Sequence, residues 1–187
     1  MNVPDLHQRA LDEFGRRVEA IPEGGWSAST PNPEWEVRAL VNHIVNENRW
    51  TPPLLAGSSI DEVGDRFEGD LLGDNPTDAW EDSSRQAARA VQEDGALERT
   101  VHLSFGDVPG EEYAMQLFAD HLIHAWDLAR AIGADEQLDP ELVKACSEWF
   151  AQREDVYRAA GAIGDRPEVA PDADPQTALL GMFGRRV

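Results

Sequence analysis

Proline and glycine cut this chain into helix-length pieces, and within five of those pieces apolar side chains return every three or four residues. Residues 4–21 place Leu6, Ala10, Phe14 and Val18 on one face before Pro22 and Gly24-Gly25 stop the run. Residues 33–50 open at Asn32-Pro33, where proline suits a first helical turn, carry Val37, Leu40, Val41, Ile44 and Val45, and end near Pro52-Pro53. A third helix starts at Asn75-Pro76, turns Trp80, Ala87, Ala88 and Val91 inward, and reaches about Asp94 before Gly95. The fourth spans 111–132 and stops at Gly133, and the fifth runs over 139–160 from Asp139-Pro140. Rods of this length predict an all-α fold, a four-helix bundle with short additional helices, in a single domain over residues 1–187.

The connections carry weaker signals. Residues 57–75 are rich in Gly and Asp and read as a long link with one short helix at "SIDEVGDRF". "TVHLSF" alternates Val101, Leu103 and Phe105 with polar residues, which suits a short strand or extended arm, and "GDVPG" after it is turn chemistry. His102, on the polar phase, is expected to face solvent. Residues 161–176 form a Gly, Pro and Asp-rich connector, and 177–187 an amphipathic tail suited to docking.

Charge narrows the partners. Asp and Glu number 36 against 16 Lys and Arg, a formal charge of -20 that repels phosphate backbones and anionic lipid, so neither nucleic acid nor membrane is expected. The start lacks the charged-then-apolar pattern of a signal peptide, no apolar run approaches a membrane span, and the one cysteine excludes an internal disulfide, which makes the cytoplasm the expected location. Cys146, among the apolar residues of "ELVKACSEWF", reads as an inert core thiol.

The fourth helix contains "DHLIHAWDLARA", where Asp120, His124 and Asp127 fall on one strip because offsets of four and seven return to the same face. The rest of that helix is apolar nearly all round, the mark of a buried rod, and a carboxylate there costs several kcal/mol unless paired or metal-bound. One reading is a buried hydrogen-bond network, with Asp127 within reach of Arg130. The other is a metal site, which needs a further ligand from a facing rod. His43, in "LVNHIVNENRW", lies at the edge of the second helix's apolar stripe, with Glu47 one turn on. His43, Asp120 and His124 make a set of two imidazoles and one carboxylate, suited to a divalent transition metal with positions left open. His121 lies about 100° off the strip, and His7 is expected at the surface.

These motifs resemble a known family. "WEVRALVNHIVNENRW", "ADHLIHAWDLARAIG" and the closing "LLGMFGRR" are similar to the actinobacterial members of the DinB-like metal-binding superfamily, related to the metal-binding domain of mycothiol-dependent maleylpyruvate isomerase. The resemblance implies a DinB-type bundle in up-down-down-up order and a three-ligand metal site on His43, Asp120 and His124, with zinc first and nickel, manganese or iron as alternatives. The isomerase pattern has glutamate where this chain has Asp120. The chain leaves no room for the isomerase's additional carboxy-terminal domain, so activity on maleylpyruvate is not expected to carry over. The function implied is a metal-activated, mycothiol-dependent transferase or isomerase acting on a small electrophilic substrate. Asp127 and Glu47 are expected behind the ligands, and Arg49 and Arg130 are candidate contacts for an anionic substrate, with surface ion pairs as their other role. A non-catalytic ligand- or partner-binding bundle and a metal-dependent hydrolase are the rival readings, and a homodimer is the base-rate expectation.

Overall fold

The computed structural model describes residues 1–187, which divide into two compact units, Met1–Asp135 and Glu136–Val187. Four long helices build the first: α1 (Val3–Glu19), α2 (Val37–Leu55), α4 (Pro76–Gln92) and α5 (Gly110–Ile132), with the single turn α3 (Ile60–Val63) between α2 and α4. The Asn-Pro signal at the third long helix holds: Asn75 Oδ1 accepts the Asp78 amide, and Pro76 occupies the first turn. Gly133 ends α5 in the left-handed region, at φ 68°, where a side chain would be strained.

Both α1 and α2 pack against α4 and α5, which gives the cyclic order α1, α5, α2, α4. Cross-helix contacts set the directions. The ring of His7 meets that of His121 near the starts of the facing segments of α1 and α5, and Arg17 reaches the Asp135 carbonyl at 3.5 Å farther along, so those two helices run parallel. Gln92 at the end of α4 donates to Gln8 at 3.3 Å, making α4 antiparallel to α1. His43 faces Asp120 while Leu54 and Leu55 cluster with Tyr113 and Ala114, so α2 is antiparallel to α5. The result is the expected up-down-down-up bundle.

A polar layer crosses this apolar core. His7, Asn48, Ser83 and His121 come from α1, α2, α4 and α5, and all are buried. His121 Nδ1 faces the Leu117 carbonyl, its Nε2 lies 2.9 Å from Asn48 Oδ1, and Asn48 Nδ2 donates to Ser83 Oγ at 3.4 Å. His7 is therefore not a surface residue. At 1% exposure it fills the core beside His121, because the first helix turns its Leu6–Ala10 face inward and His7 shares that face.

Three element boundaries also differ from expectation. Residues 28–37 form a tight reversal, in which Thr30 N–H donates to the Trp35 carbonyl at 3.1 Å and Val37 N–H to the Ala28 carbonyl at 2.9 Å, so α2 starts at Val37 rather than at Pro33. At its other end α2 continues through Pro52 and Pro53 to Leu55: each proline forfeits one amide bond to the preceding turn, and the burial of Leu54 and Leu55 offsets that loss. "GDVPG" supplies more than a turn: β2 (Gly106–Pro109) pairs antiparallel with β1 (Thr100–Leu103), and His102 faces Asp107 across the hairpin.

In the second unit the expected fifth helix breaks into α6 (Pro140–Phe150) and α7 (Glu154–Ala159), because Phe150 turns back to stack on Phe183 with ring centroids 3.9 Å apart. The tail forms α8 (Pro175–Met182), which packs on α6 and is capped by Asp174. No helix is long and apolar enough to cross a membrane.

Two outcomes follow. A methyl group on Gly110 would overlap the Ala96 carbonyl oxygen, so Gly110→Ala should cost about 2 kcal/mol or more, read as a lower urea midpoint. An unchanged midpoint would contradict this packing. Burial is the main force depressing the His121 imidazolium, to about 4, from an unfolded value near 6.5. The unfolded chain thus binds the proton first as pH falls, and the stability contributed by neutral His121 is complete above about 6.5 and lost toward about 4, on the order of 3 kcal/mol. Urea midpoints between pH 7 and 4.5 should fall, and the slope should be shallower in His121→Gln.

Candidate metal centre

The antiparallel crossing of α2 and α5 puts His43 against the polar strip of α5. His43 Nε2 lies 3.1 Å from Asp120 Oδ2, and His124 Nε2 lies 3.3 Å from Asp120 Oδ1. One ligand atom from each of the three residues falls within 4.8 Å of the others. Asp127, fully buried one turn after His124, accepts a hydrogen bond from His124 Nδ1–H at 2.9 Å. Asp120, His124 and Asp127 thus share one face of α5, as their spacing requires.

The carboxylates dominate the electrostatics. Burial by itself would depress the His124 imidazolium, but the charge of Asp120 and hydrogen bonds to Asp120 and Asp127 raise it to about 9. Burial likewise works against the Asp120 carboxylate, and His124 and His43 override it, holding that group well below its usual range. Glu47, one turn after His43, is raised by burial first and then by the charge of Asp120. Burial and then Glu47 push the Tyr113 phenol up.

This donor set fits a divalent transition ion. Bonds of about 2.0–2.1 Å in a tetrahedral site separate donor atoms by about 3.4 Å, close to the nitrogen–oxygen separations here. His124 donates through Nδ1 to a buried carboxylate, an arrangement that orients a ring for ligation through Nε2.

Other candidate residues lie elsewhere. Arg49 pairs with Asp82 on α4 at 3.0 Å, and Arg130 is exposed, its guanidinium 5.2 Å from the Trp126 ring centroid. Neither arginine belongs to the group of converging side chains, which is His43, Asp120 and His124.

Aromatic residues that the spacing did not single out complete the surroundings. Trp35 rides the reversal before α2 and covers both imidazoles, with ring centroids 4.9 Å from His43 and 5.6 Å from His124. Farther along, Asn42 donates to the Gly69 carbonyl at 3.0 Å and accepts the Leu71 amide at 2.8 Å, while Asn46 donates to the Phe67 carbonyl at 2.6 Å. Arg38 holds Asp70 and the Gly73 carbonyl from the same stripe. The four-residue spacing of 38, 42 and 46 was the available signal: a polar stripe on a helix whose opposite face is core. It straps residues 67–73 over α2 and sets Phe67 against Trp50, centroids 5.8 Å apart. A cleft of about 590 Å3 opens there, with His43 and Trp35 among its lining residues.

The family model of the mycothiol maleylpyruvate isomerase N-terminal domain matches residues 7–129, which lie within the first unit. Two uncharacterized proteins of Mycobacterium tuberculosis, from strains CDC 1551 and H37Rv, are each 32% identical over 191 residues, spanning 94% of this chain and 94% of theirs. Crystal structures of the mycothiol-dependent maleylpyruvate isomerase and of its histidine-to-alanine mutant share the fold, with TM-scores of 0.61 and 0.62 at 16% identity, over 80% of this chain and 70% of theirs. With a bundle of the same architecture and a family match across the helices that carry the cluster, this chain belongs to the mycothiol maleylpyruvate isomerase N-terminal domain family.

Proposed function

We propose that the protein is a divalent-metal-dependent transferase or isomerase that uses a small thiol, with His43, Asp120 and His124 as the ligands and mycothiol as the thiol. The observation that carries this reading is the convergence of two imidazoles and one carboxylate, from two helices, within 4.8 Å. A divalent ion such as zinc, bound there, supplies a thiolate at neutral pH by lowering the pKa of a coordinated thiol. The family relationship and the names of the solved relatives support mycothiol as that thiol.

The chain's own residues have defined parts. Asp120 offers one oxygen toward each imidazole. Asp127 accepts the hydrogen bond of His124 Nδ1–H and so leaves Nε2 facing the cluster. Trp35 closes one side of the imidazole pair against water. Cys146 is not the nucleophile: it is fully buried, and burial pushes its thiol up. The nucleophilic sulfur therefore comes from a small molecule.

Protein purified without a polyhistidine tag should carry one metal ion per chain, lost in both His43→Ala and His124→Ala. Asp127→Asn should weaken metal affinity by about 10- to 100-fold while the ligands stay in place. Given mycothiol and a generic electrophile, conjugation should follow metal content across these variants. Conjugation undiminished in the two histidine variants would overturn the reading.

A further inference from the structure

Aliphatic side chains are nearly absent from the cleft over α2. Its lining has one, Ala39; the rest is the rings of Trp35, Trp50 and Phe67, four polar side chains and two glycines. Its volume, about 590 Å3, is in the range of sites for small molecules. Such sites are usually apolar with a few polar groups, so comparable shares of aromatic and polar lining mark a particular kind of ligand.

Two of the rings form one continuous wall. Trp50 and Phe67 touch edge to face, with centroids 5.8 Å apart and planes at 72°. Trp35 comes from a different segment, the reversal before α2, and lies against His43. All three are half-buried, so each keeps part of its ring open. The polar groups beside them have hydrogen-bonding capacity left over. Asn46 gives its amide nitrogen to the Phe67 carbonyl at 2.6 Å, which leaves Oδ1 as an acceptor. His43 turns Nε2 to Asp120, which leaves Nδ1. Glu68 is exposed and offers two carboxylate oxygens. Asn42, by contrast, is used at both ends, on Gly69 and Leu71.

This combination selects among ligands. A hydrocarbon or a bare aromatic molecule would stack on the rings but strip water from Glu68, Asn46 and His43 and return no hydrogen bond. A linear polyol would satisfy those groups and leave the rings uncovered. A pyranose with equatorial hydroxyls meets both demands. Its axial C–H bonds make a flat face suited to the negative face of an aromatic ring, and its hydroxyls project from the edge toward donors and acceptors. We propose that the cleft binds the pyranose ring of a glycoside, stacked on the Trp50–Phe67 wall with its hydroxyls on Glu68 and Asn46. The assignment goes beyond the metal reading and stands without it, because His43 is the one residue that the cleft and the donor cluster share. The ligand is held by α2 and the loop strapped over it: with the Phe67 carbonyl bound to Asn46 and that of Gly69 to Asn42, the loop keeps its ring against Trp50.

Ligand-observed NMR titration of the protein as purified with methyl β-D-glucopyranoside tests this without turnover. Sorbitol, which has the hydroxyls without the ring face, and cyclohexanol, which has the ring without the array of hydroxyls, are the controls. The glucoside should bind in the millimolar range, about fivefold more tightly than either control. Trp50→Leu, which keeps apolar bulk and removes the ring, should weaken it by about fivefold, and Glu68→Ala, at an exposed position that carries no packing, by about threefold, both with metal content unchanged. A glucoside bound no more tightly than sorbitol or cyclohexanol, or an affinity indifferent to either substitution, would overturn the proposal. The two readings fail separately: a protein that purifies without metal yet binds the glucoside loses the metal site and keeps the cleft, and one that holds metal but not the glucoside does the reverse.

Discussion

The antiparallel contact between α2 and α5 is the constraint from which the rest of the site follows. Neither helix carries a complete set of donors. α5 supplies a carboxylate and an imidazole one turn apart, and only the crossing brings His43 to 3.1 Å from Asp120. The crossing is held on the apolar side by Leu54 and Leu55 clustered with Tyr113, Ala114 and Leu117, all buried, and by the Asn48–His121 contact at 2.9 Å. The polar layer and the donor cluster therefore lie on neighbouring turns of the same two helices. Register in one determines register in the other.

Burial gives this arrangement its chemical meaning. A rod as apolar as α5 makes each of its charges expensive, so every acid on the strip has a partner: Asp127 takes one nitrogen of His124, and Asp120 sits between two rings. In water these groups would titrate independently. Here they hold one another's charge, which is why His124 keeps its proton to about 9 while His121, next to the same acid but bonded to neutral groups, loses it at about 4. Two histidines on one helix are thus separated into a structural role and a candidate ligand role by which face each occupies.

Much of this was legible in the sequence, for definable reasons. Asn-Pro starts and glycine stops, together with three- and four-residue periodicity, located all four long helices of the bundle, and the four-and-seven offsets grouped Asp120, His124 and Asp127. What local pattern could not convey was tertiary. The reversal at residues 28–37 is held by bonds between Ala28, Thr30, Trp35 and Val37, and an Asn-Pro pair that usually starts a helix sits instead inside a turn. His7 reads as a polar residue near an amino terminus, and its burial follows from sharing the inward face of α1 beside His121 of α5. The arginines were misleading for a related reason: near the cluster in sequence, Arg49 is drawn to Asp82 on a third helix. Trp35, Trp50 and Phe67 lie on three different segments, so no single window groups them.

X-ray absorption at the metal edge, on protein purified without a tag and kept free of added thiol, tests the metal centre most directly. Two imidazoles and light oxygen scatterers in the first coordination sphere are expected, with no sulfur at bonding distance and the metal signal itself lost in His43→Ala. A sphere containing sulfur, or one whose imidazole count is the same with and without His43, would show that the ion is bound somewhere other than where α2 meets α5.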